Sequence, residues 1–164
     1  IVAVAPVLAA TAGREIDELV ARLQPFPAGR VVDLEVLAAV PDAVRAQQPL
    51  YARTGGVHAA AAFDSTGAPV VVREDIGRHN AVDKVVGRLL LDGRLPAAGL
   101  GLFLSGRASF EMVQKAWAAG FATVVAVSAP SSLAVEIARR ANLVLVGFAR
   151  DGRLNVYSPE VPHG

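Results

Sequence analysis

The chain has 164 residues, which suits one domain with a sizeable core, and its content of 53% hydrophobic and 19% charged residues excludes a disordered protein. A net charge of +1 excludes a general attraction to nucleic acid or to acidic membranes, while a local anion site stays compatible with it. The absence of cysteine excludes disulfides, thiolate catalysis and cysteine-ligated metals in this chain.

The first forty residues give the least regular pattern. Residues 1–4 are short and β-branched, which predicts a strand, and Pro6 disfavours its continuation. From Arg14 onward the apolar residues lie at the spacing of one helix face, which predicts a helix. Residues 31–40 fit either a strand or a short helix, and Pro41 suits the first turn of a further helix.

From residue 59 onward, short apolar strands are predicted to alternate with helices. Two strands form a hairpin, three strand–polar loop–helix units succeed one another, and Asp151 with Gly152 signals a closing hairpin. The predicted strands cover residues 59–63, 68–73, 99–104, 121–127, 143–148 and 154–157, and the helices after the polar loops begin at Asn80, Ser109 and Ser131. This order predicts an α/β fold, a three-layer α/β/α sandwich with a mixed sheet, in a single domain of residues 1–164.

No membrane segment is predicted. Residues 116–135 are uncharged and about as long as the ~20 residues of a membrane helix, but Gly120 and the polar residues 128–132 divide them. Residues 1–10 lack the basic segment of a signal peptide, so we expect a soluble protein.

The most polar loop follows the second strand and reads EDIGRHNAVDK, starting at Glu74. Ligands of open α/β sheets bind beyond the carboxyl ends of the strands, where helix N-termini favour phosphate. Arg78 and Arg107 fall at the same structural point of two successive units, and guanidinium groups match phosphate oxygens. We therefore predict a phosphate-bearing ligand. The alternative is that both arginines pair with Glu74, Asp75 or Glu111 and only order the loops.

Other candidate groups are less specific. His58 and His79 could act as bases, although a histidine in a loop is more often a structural hydrogen-bonding group. Glu111 precedes Lys115 by one helical turn, which favours an ion pair between them. The sequence lacks the phosphate loop G-x-x-x-x-G-K-[ST], the zinc motif H-E-x-x-H and the nucleophile elbow G-x-S-x-G, and no metal site is predicted.

Several motifs resemble those of the FdhD/NarQ family, the formate dehydrogenase accessory sulfurtransferases. They are TGGVHAA at 54–60, EDIGRHNAVDK at 74–84, SGRASFEMVQK at 105–115, AVSAPSSLA at 126–134, LVGF at 145–148 and NVY at 155–157. The resemblance runs from about Gly13 to Ser158 and corresponds to the C-terminal domain of the family, which implies a cytidine deaminase-like fold. We expect the N-terminal region of the family to be absent from this chain.

The resemblance implies a cytoplasmic homodimer that takes sulfur from a cysteine desulfurase and passes it to the molybdenum cofactor of formate dehydrogenase. That cofactor is bis-molybdopterin guanine dinucleotide, and GDP should mimic half of it. The positions that the resemblance and the loop argument assign to cofactor binding are Phe148, Ala149, Arg150, Asp151, Gly152, Arg153, Arg78, Arg107 and His58. Without the resemblance, residues 148–153 would be interpreted as an ordinary hairpin with basic side chains.

The chain departs from the family at the sulfur-bearing motif C-x-x-C-G. When the end of that motif is aligned with Gly13, its cysteines fall at Ala9 and Ala12, and an alanine cannot carry a persulfide. The chain is then a degenerate form, an engineered form, or a sequence without the cysteine loop, and the sequence leaves these possibilities open. No catalytic residue is assigned.

Three hypotheses remain from the sequence. The first is a formate dehydrogenase accessory protein that binds the molybdenum cofactor and, in the family, transfers sulfur to it. The second is a non-catalytic carrier or scaffold for the cofactor, which the missing cysteines favour. The third is a deaminase-like hydrolase, which is disfavoured because its zinc site requires a C-x-x-C pair.

Overall fold

The computed structural model describes the backbone of residues 4–159 and the side chains of residues 14–159. Within this part, the chain forms a mixed sheet of six strands and six helices. The helices are α1 (Val4–Leu23), α2 (Leu34–Arg45), α3 (Pro49–Thr54), α4 (Arg78–Leu91), α5 (Phe110–Ala119) and α6 (Ser132–Arg140). The strands are β1 (His58–Phe63), β2 (Pro69–Asp75), β3 (Gly101–Leu104), β4 (Thr123–Ala126), β5 (Val144–Arg150) and β6 (Arg153–Ser158).

The strand directions decide where the loops meet. The sheet has the order β2-β1-β3-β4-β5-β6, with β1 antiparallel to both of its neighbours and β3, β4 and β5 parallel to one another. β2 therefore runs in the same direction as β3, β4 and β5. The carboxyl ends of these four strands lie together at what we call the carboxyl end of the sheet, and the helices that follow β2, β3 and β4 begin there.

Hydrophobic clusters on both faces of the sheet confirm the three-layer arrangement. On one face, α4, α5 and α6 bury Val85, Trp117 and Ile137 in one cluster with the sheet, and α1 packs against α6. On the other face, α2 buries Leu37 and Val40 in a cluster with side chains of β1, β3, β4 and β5. The β3-α5-β4 and β4-α6-β5 connections join neighbouring parallel strands through helices on one face, as crossovers of one hand require.

The start of the chain differs from the prediction. Residues 1–3 of the predicted strand lie outside the described residues, and Val4 opens α1. Pro6 falls in the first turn of that helix, where backbone N–H groups have no partner within the helix to lose. Pro6, which disfavours the continuation of a strand, is thus compatible with the start of a helix. The helix predicted from Arg14 onward therefore begins earlier, at Val4.

The helix α2 is continuous where the sequence suggested a new helix at Pro41. Asp33 fixes its start, because Oδ1 of that carboxylate accepts hydrogen bonds from the backbone N–H groups of Glu35 (2.9 Å) and Val36 (3.3 Å). Pro41 consequently lies inside α2, where it is buried. The prediction of a helix beginning at Pro41 is wrong, as is the strand alternative for most of residues 31–40.

The elements after residue 57 follow the prediction closely. The hydroxyl of Ser109 accepts a hydrogen bond from the N–H of Met112 (3.4 Å), and that of Ser131 accepts one from the N–H of Ala134 (3.1 Å), so each serine caps the helix that was predicted to begin there. The helix predicted from Asn80 begins slightly earlier, at Arg78.

Both predicted hairpins are present, β1 with β2 and β5 with β6. Asp151 and Gly152 have φ values of +52° and +71°, and positive φ at both central residues is typical of a tight hairpin turn. This turn lies at the carboxyl end of the sheet, together with the loops that follow β2, β3 and β4.

Candidate functional site at the carboxyl end of the sheet

Backbone hydrogen bonds tie the loops at the carboxyl end of the sheet to one another. The N–H of Ala108 donates to the carbonyl oxygen of Ala129 (3.3 Å), and the N–H of Ser131 donates to that of Ala108 (3.0 Å). The N–H of Phe148 donates to the carbonyl oxygen of Ser128 (3.2 Å). The loops after β3 and β4 and the end of β5 are therefore parts of one connected surface.

β5 comes unusually close to the loop that follows β4. A Cβ atom on Gly147 would lie 2.9 Å from Cδ of Pro130 and 3.0 Å from the carbonyl oxygen of Ser128, so a larger residue does not fit there without a shift. The next residue, Phe148, has a φ of +51°, in the left-handed region that bulky residues rarely adopt. Strained backbone of this kind clusters at ligand-binding sites. The geometry therefore favours a functional interpretation of Phe148.

Glu74, the first residue of EDIGRHNAVDK, has a structural role. Its two carboxylate oxygens accept hydrogen bonds from the backbone N–H groups of Leu50 and Tyr51, both 2.9 Å long. Gln48, the N-cap residue of α3, contributes no side-chain hydrogen bond to that helix. Glu74 therefore caps α3 from a position more than twenty residues along the chain, and joins α3 to β2.

Asp75 is held by the loop itself. Its Oδ1 accepts hydrogen bonds from the N–H of Gly77 (2.9 Å) and from Nδ2 of Asn80 (3.3 Å), and its Oδ2 forms an ion pair with Nζ of Lys84 (2.5 Å). The hydrogen bond from Lys84, followed by that from Gly77, lowers the pKa of Asp75 from 3.8 to about 2. Both acidic residues at the start of this loop are thus occupied by the scaffold.

Arg78 and His79 are the first two residues of α4. The N-cap of α4, Gly77, offers no side-chain hydrogen bond. The pKa of Glu111 is lowered, mainly by hydrogen bonds from its own N–H and from the Ser109 hydroxyl and to a smaller extent by the charges of His79 and Arg78. The charge of Arg78 therefore acts on Glu111, at the start of α5.

The prediction of an ion pair between Glu111 and Lys115 is wrong. Nζ of Lys115 instead contacts Oδ1 of Asp83 at 2.7 Å and so links α5 to α4. A long lysine side chain can reach a carboxylate on the adjacent helix as easily as one on its own helix. The interhelical pair fixes the two helices whose N-termini flank the candidate site.

Arg107, Arg150 and Arg153 are exposed at or beside the carboxyl end of the sheet. Among residues 14–159, no side chain or backbone group forms a hydrogen bond or ion pair with their guanidinium groups. Arg107 lies in the loop after β3, and the other two flank the Asp151–Gly152 turn between β5 and β6. The five donors of each guanidinium group are therefore free to bind an anion.

The strand order sets the scale of the site. Arg78 follows β2, Arg107 follows β3 and Arg150 ends β5, with two strand spacings between successive members of this series. At about 4.8 Å per spacing, β2 and β5 are about 19 Å apart. One phosphate cannot bridge that distance, so only an extended ligand could contact all three arginines.

His58 lies in a cleft between the sheet and the helices α2 and α3. The cleft has a volume of about 290 Å³ and is lined by Pro41, Arg45, Gln48, Tyr51, Gly55, Gly56, Val57, His58, Phe103, Ser105 and Val127. Nδ1 of His58 is 3.5 Å from Oγ of Ser105, which also accepts a hydrogen bond from the N–H of Ala59 (2.9 Å). The sequence did not indicate this cleft. The only local signal for α3, which forms one of its walls, was Pro49 at the start of that helix.

Ala9 and Ala12, the positions aligned with the family cysteines, fall within α1. The prediction that they precede a helix beginning at Arg14 is therefore wrong, because the backbone at both positions is already part of the helix. Their side chains lie outside the described residues.

The residues assigned to the candidate site thus fall into groups. The hairpin residues Phe148, Ala149, Arg150, Asp151, Gly152 and Arg153 are contiguous, Arg107 lies on the loop two strands away, and Arg78 lies beyond it. His58 lies on the side of the sheet that faces α2, and its ring is close to the hydroxyl of Ser105, two residues before Arg107.

Two further properties bear on the kind of site. Among the side chains of residues 14–159, no group of three His, Asp or Glu residues is placed to hold a metal ion. In the same part of the chain no helix is both long and apolar enough to cross a bilayer.

Comparison with known proteins agrees with these observations. The model of the FdhD/NarQ family matches residues 6–161. The chain is 56% identical over 135 residues to the sulfur carrier protein FdhD of Nocardia farcinica, covering 82% of this chain and 48% of that protein. It is 52% identical over 149 residues to the protein of the same name from Anaeromyxobacter dehalogenans, covering 87% and 52%.

A solved structure shares the fold. It is a crystal structure from Desulfotalea psychrophila, described as that of a formate dehydrogenase accessory protein, with a TM-score of 0.72 and 32% identity over 85% of this chain and 59% of that one. The chain spans about half the length of the curated relatives that it matches. The family model covers almost the whole sequence, and the chain belongs to the FdhD/NarQ family.

Proposed function

We propose that this chain binds bis-molybdopterin guanine dinucleotide at the carboxyl end of its sheet and presents it to formate dehydrogenase. The observation that carries the proposal is the set of three exposed arginines, Arg107, Arg150 and Arg153, whose guanidinium groups have no partner among residues 14–159. Guanidinium groups that nothing in the scaffold neutralises are suited to the diphosphates of such a ligand.

The size of the ligand supports the same conclusion. The distance between β2 and β5 is about 19 Å, which is longer than the phosphate of a mononucleotide can span. A ligand with a nucleotide at each end is extended enough to reach both strands. Arg107 and the 148–153 hairpin would hold one diphosphate, and Arg78 with the uncapped amino end of α4 would hold a second one. When bound, the cofactor would supply the molybdenum chemistry, and the residues of this chain would only bind and orient it.

Sulfur transfer requires separate consideration. In the family, sulfur arrives from a cysteine desulfurase as a persulfide on cysteine, and this chain contains no cysteine. We therefore assign to this chain the binding step, as a cytoplasmic cofactor carrier that acts as a homodimer. A chain that is incubated with a desulfurase and ³⁵S-labelled cysteine should remain unlabelled. Covalent labelling that withstands denaturation and is released by a thiol would contradict this assignment.

Titration calorimetry with GDP tests the binding proposal directly. The Arg107→Ala and Arg150→Ala variants should each bind GDP about tenfold more weakly than the original chain, the usual effect of losing one exposed charge-assisted hydrogen bond. Arg94→Ala is the matched control, because Arg94 is also exposed but lies beyond the carboxyl terminus of α4, at the opposite end of the sheet. No saturation at millimolar GDP, or an equal loss in the control, would overturn the proposal.

A further inference from the structure

The cleft between α2, α3 and the sheet contains a buried polar group that the scaffold does not use. Gln48 is only 7% exposed and lines the cleft. Its backbone is fully engaged, with its N–H donating to Arg45 (3.2 Å) and its carbonyl oxygen accepting from Ala52 (3.0 Å). No described residue forms a hydrogen bond with its side-chain carboxamide. Among the described residues, Oγ of Ser158 is the side-chain atom that is fully buried without a partner, so the carboxamide atoms of Gln48 are open to the cleft and can bind a ligand there.

The other walls define the shape of that ligand. Pro41, Phe103 and Val127 provide apolar surface, and the ring of Tyr51 is held by the guanidinium group of Arg45, 5.5 Å from its centroid. Apolar and aromatic walls with a few polar groups among them are typical of small-molecule sites, and such walls suit the faces of a heterocyclic ring. At the far side, His58 and Ser105 supply further polar atoms.

We propose that this cleft binds the lactam edge of a fused pyrimidinone ring, a guanine or a pterin, with the carboxamide of Gln48 donating to the ring carbonyl and accepting from the ring N–H. A carboxamide and a lactam each have one donor and one acceptor side by side, so they pair through two hydrogen bonds. This inference deepens the proposed function and rests on it, since the proposed ligand carries both ring systems.

The volume of the cleft decides which part of the ligand enters. About 290 Å³ lies at the lower limit of about 300–1,000 Å³ for small-molecule pockets, which suits one bicyclic ring and not a dinucleotide. The sugar and phosphates must therefore remain outside. Ser105 lies in the cleft wall and Arg107 follows it two residues later on the exposed loop, so a ring in the cleft would have its phosphates close to that loop.

The test compares four probes by calorimetry, namely guanosine, 6-hydroxymethylpterin, inorganic pyrophosphate and GDP. Gln48→Leu removes both hydrogen bonds while the side chain keeps a similar volume. This variant should bind GDP, and whichever heterocycle the original chain binds, at least tenfold more weakly, and it should bind pyrophosphate as before. Gln47→Leu is the matched control, because Gln47 is the exposed neighbour in the same segment. It should bind all probes like the original chain. Binding of guanosine or of the pterin alone identifies which ring occupies the cleft.

A measurement on the unsubstituted chain keeps the test valid if the Gln48 variant does not fold. In ¹H–¹⁵N spectra, the side-chain NH₂ signals of Gln48 should shift as the bound heterocycle reaches saturation. The inference is overturned if these signals stay in place at saturation, if the Gln48 variant binds GDP like the original chain, or if neither heterocycle binds at millimolar concentration. In all three cases GDP binding that depends on Arg107 would still support the proposed function, so the two failures are distinguishable.

Discussion

The capping of α3 by Glu74 gives a sharp test of how the EDIGRHNAVDK loop stabilises the fold. In the Glu74→Ala variant, the N–H groups of Leu50 and Tyr51 lose their carboxylate partner, and α3 loses its attachment to β2. A helix of this length has little stability of its own, so the loss should be felt first in α3 and not in the core.

The geometry sets the size of the effect. Both hydrogen bonds are 2.9 Å long and involve a carboxylate, but the bond from Leu50 is exposed, so water can replace it, whereas the bond from Tyr51 is partly buried. We therefore expect a loss of about 1–2 kcal/mol in the free energy of unfolding, the range measured for helix caps. For a chain of this size, that loss corresponds to a fall of about 2–8 °C in melting temperature.

Hydrogen exchange locates the effect. In Glu74→Ala the amide protons of Leu50 and Tyr51 should exchange about tenfold faster, beyond any change shared by the whole domain, while Glu136→Ala, an exposed glutamate on α6, should leave both rates unchanged. Because Tyr51 lines the cleft, guanosine binding should weaken in the same variant. Unchanged protection of the two amides would refute the assignment of Glu74 as a cap.

Three further substitutions and one titration test other parts of the structure. The pKa of Asp75 is lowered to about 2 in the folded chain, so its contribution to stability is present above pH 3.8 and should be lost as the pH falls from there toward 2. Urea unfolding midpoints measured across this pH range should show the loss. The Asp75→Asn variant should lose less stability over the same range. Gly147→Ala should cost about 1–3 kcal/mol, because its Cβ would lie 2.9 Å from Pro130. Gly87→Ala, a helical position with nothing within 4 Å, should instead raise stability by about 0.5–1 kcal/mol in the same assay. A Gly147 variant as stable as the original chain would contradict the close approach of β5.

The features that could be predicted from the sequence depend on neighbouring residues. Ser109 and Ser131 act on N–H groups three residues away, so the cap and its helix can be recognised in one short stretch. Asp151 and Gly152 likewise tolerate positive φ wherever they occur, which makes the hairpin visible without knowledge of its surroundings. Because each strand–loop–helix unit leads to a strand of the same direction, the order of these elements along the chain also indicated that their loops lie at one end of the sheet.

The features that the sequence did not reveal depend on distant residues or on context. Pro41 suited a helix start by its own preference, but the cap at Asp33 placed the helix start before it. α3 is too short for a periodic pattern, and its cap, Glu74, follows it by more than twenty residues. The cleft around Gln48 is formed by segments from α2, α3, β1, β3 and the end of β4. No local pattern in the sequence could have brought these groups together.

The charged residues of the motifs divide into two sets with different roles. The acids Glu74, Asp75 and Asp83 are bound to a helix N-terminus, to Lys84 and to Lys115, so they fix the framework. The arginines at the carboxyl end of the sheet are not used by that framework, and they are the groups that an anionic ligand would meet. Three acids of the motifs are thus engaged by the framework while three arginines are not, which favours a local excess of positive charge on a chain of almost zero net charge. The proposed binding of a ligand at this surface would involve no thiol, so that proposal does not depend on the cysteines of the family motif.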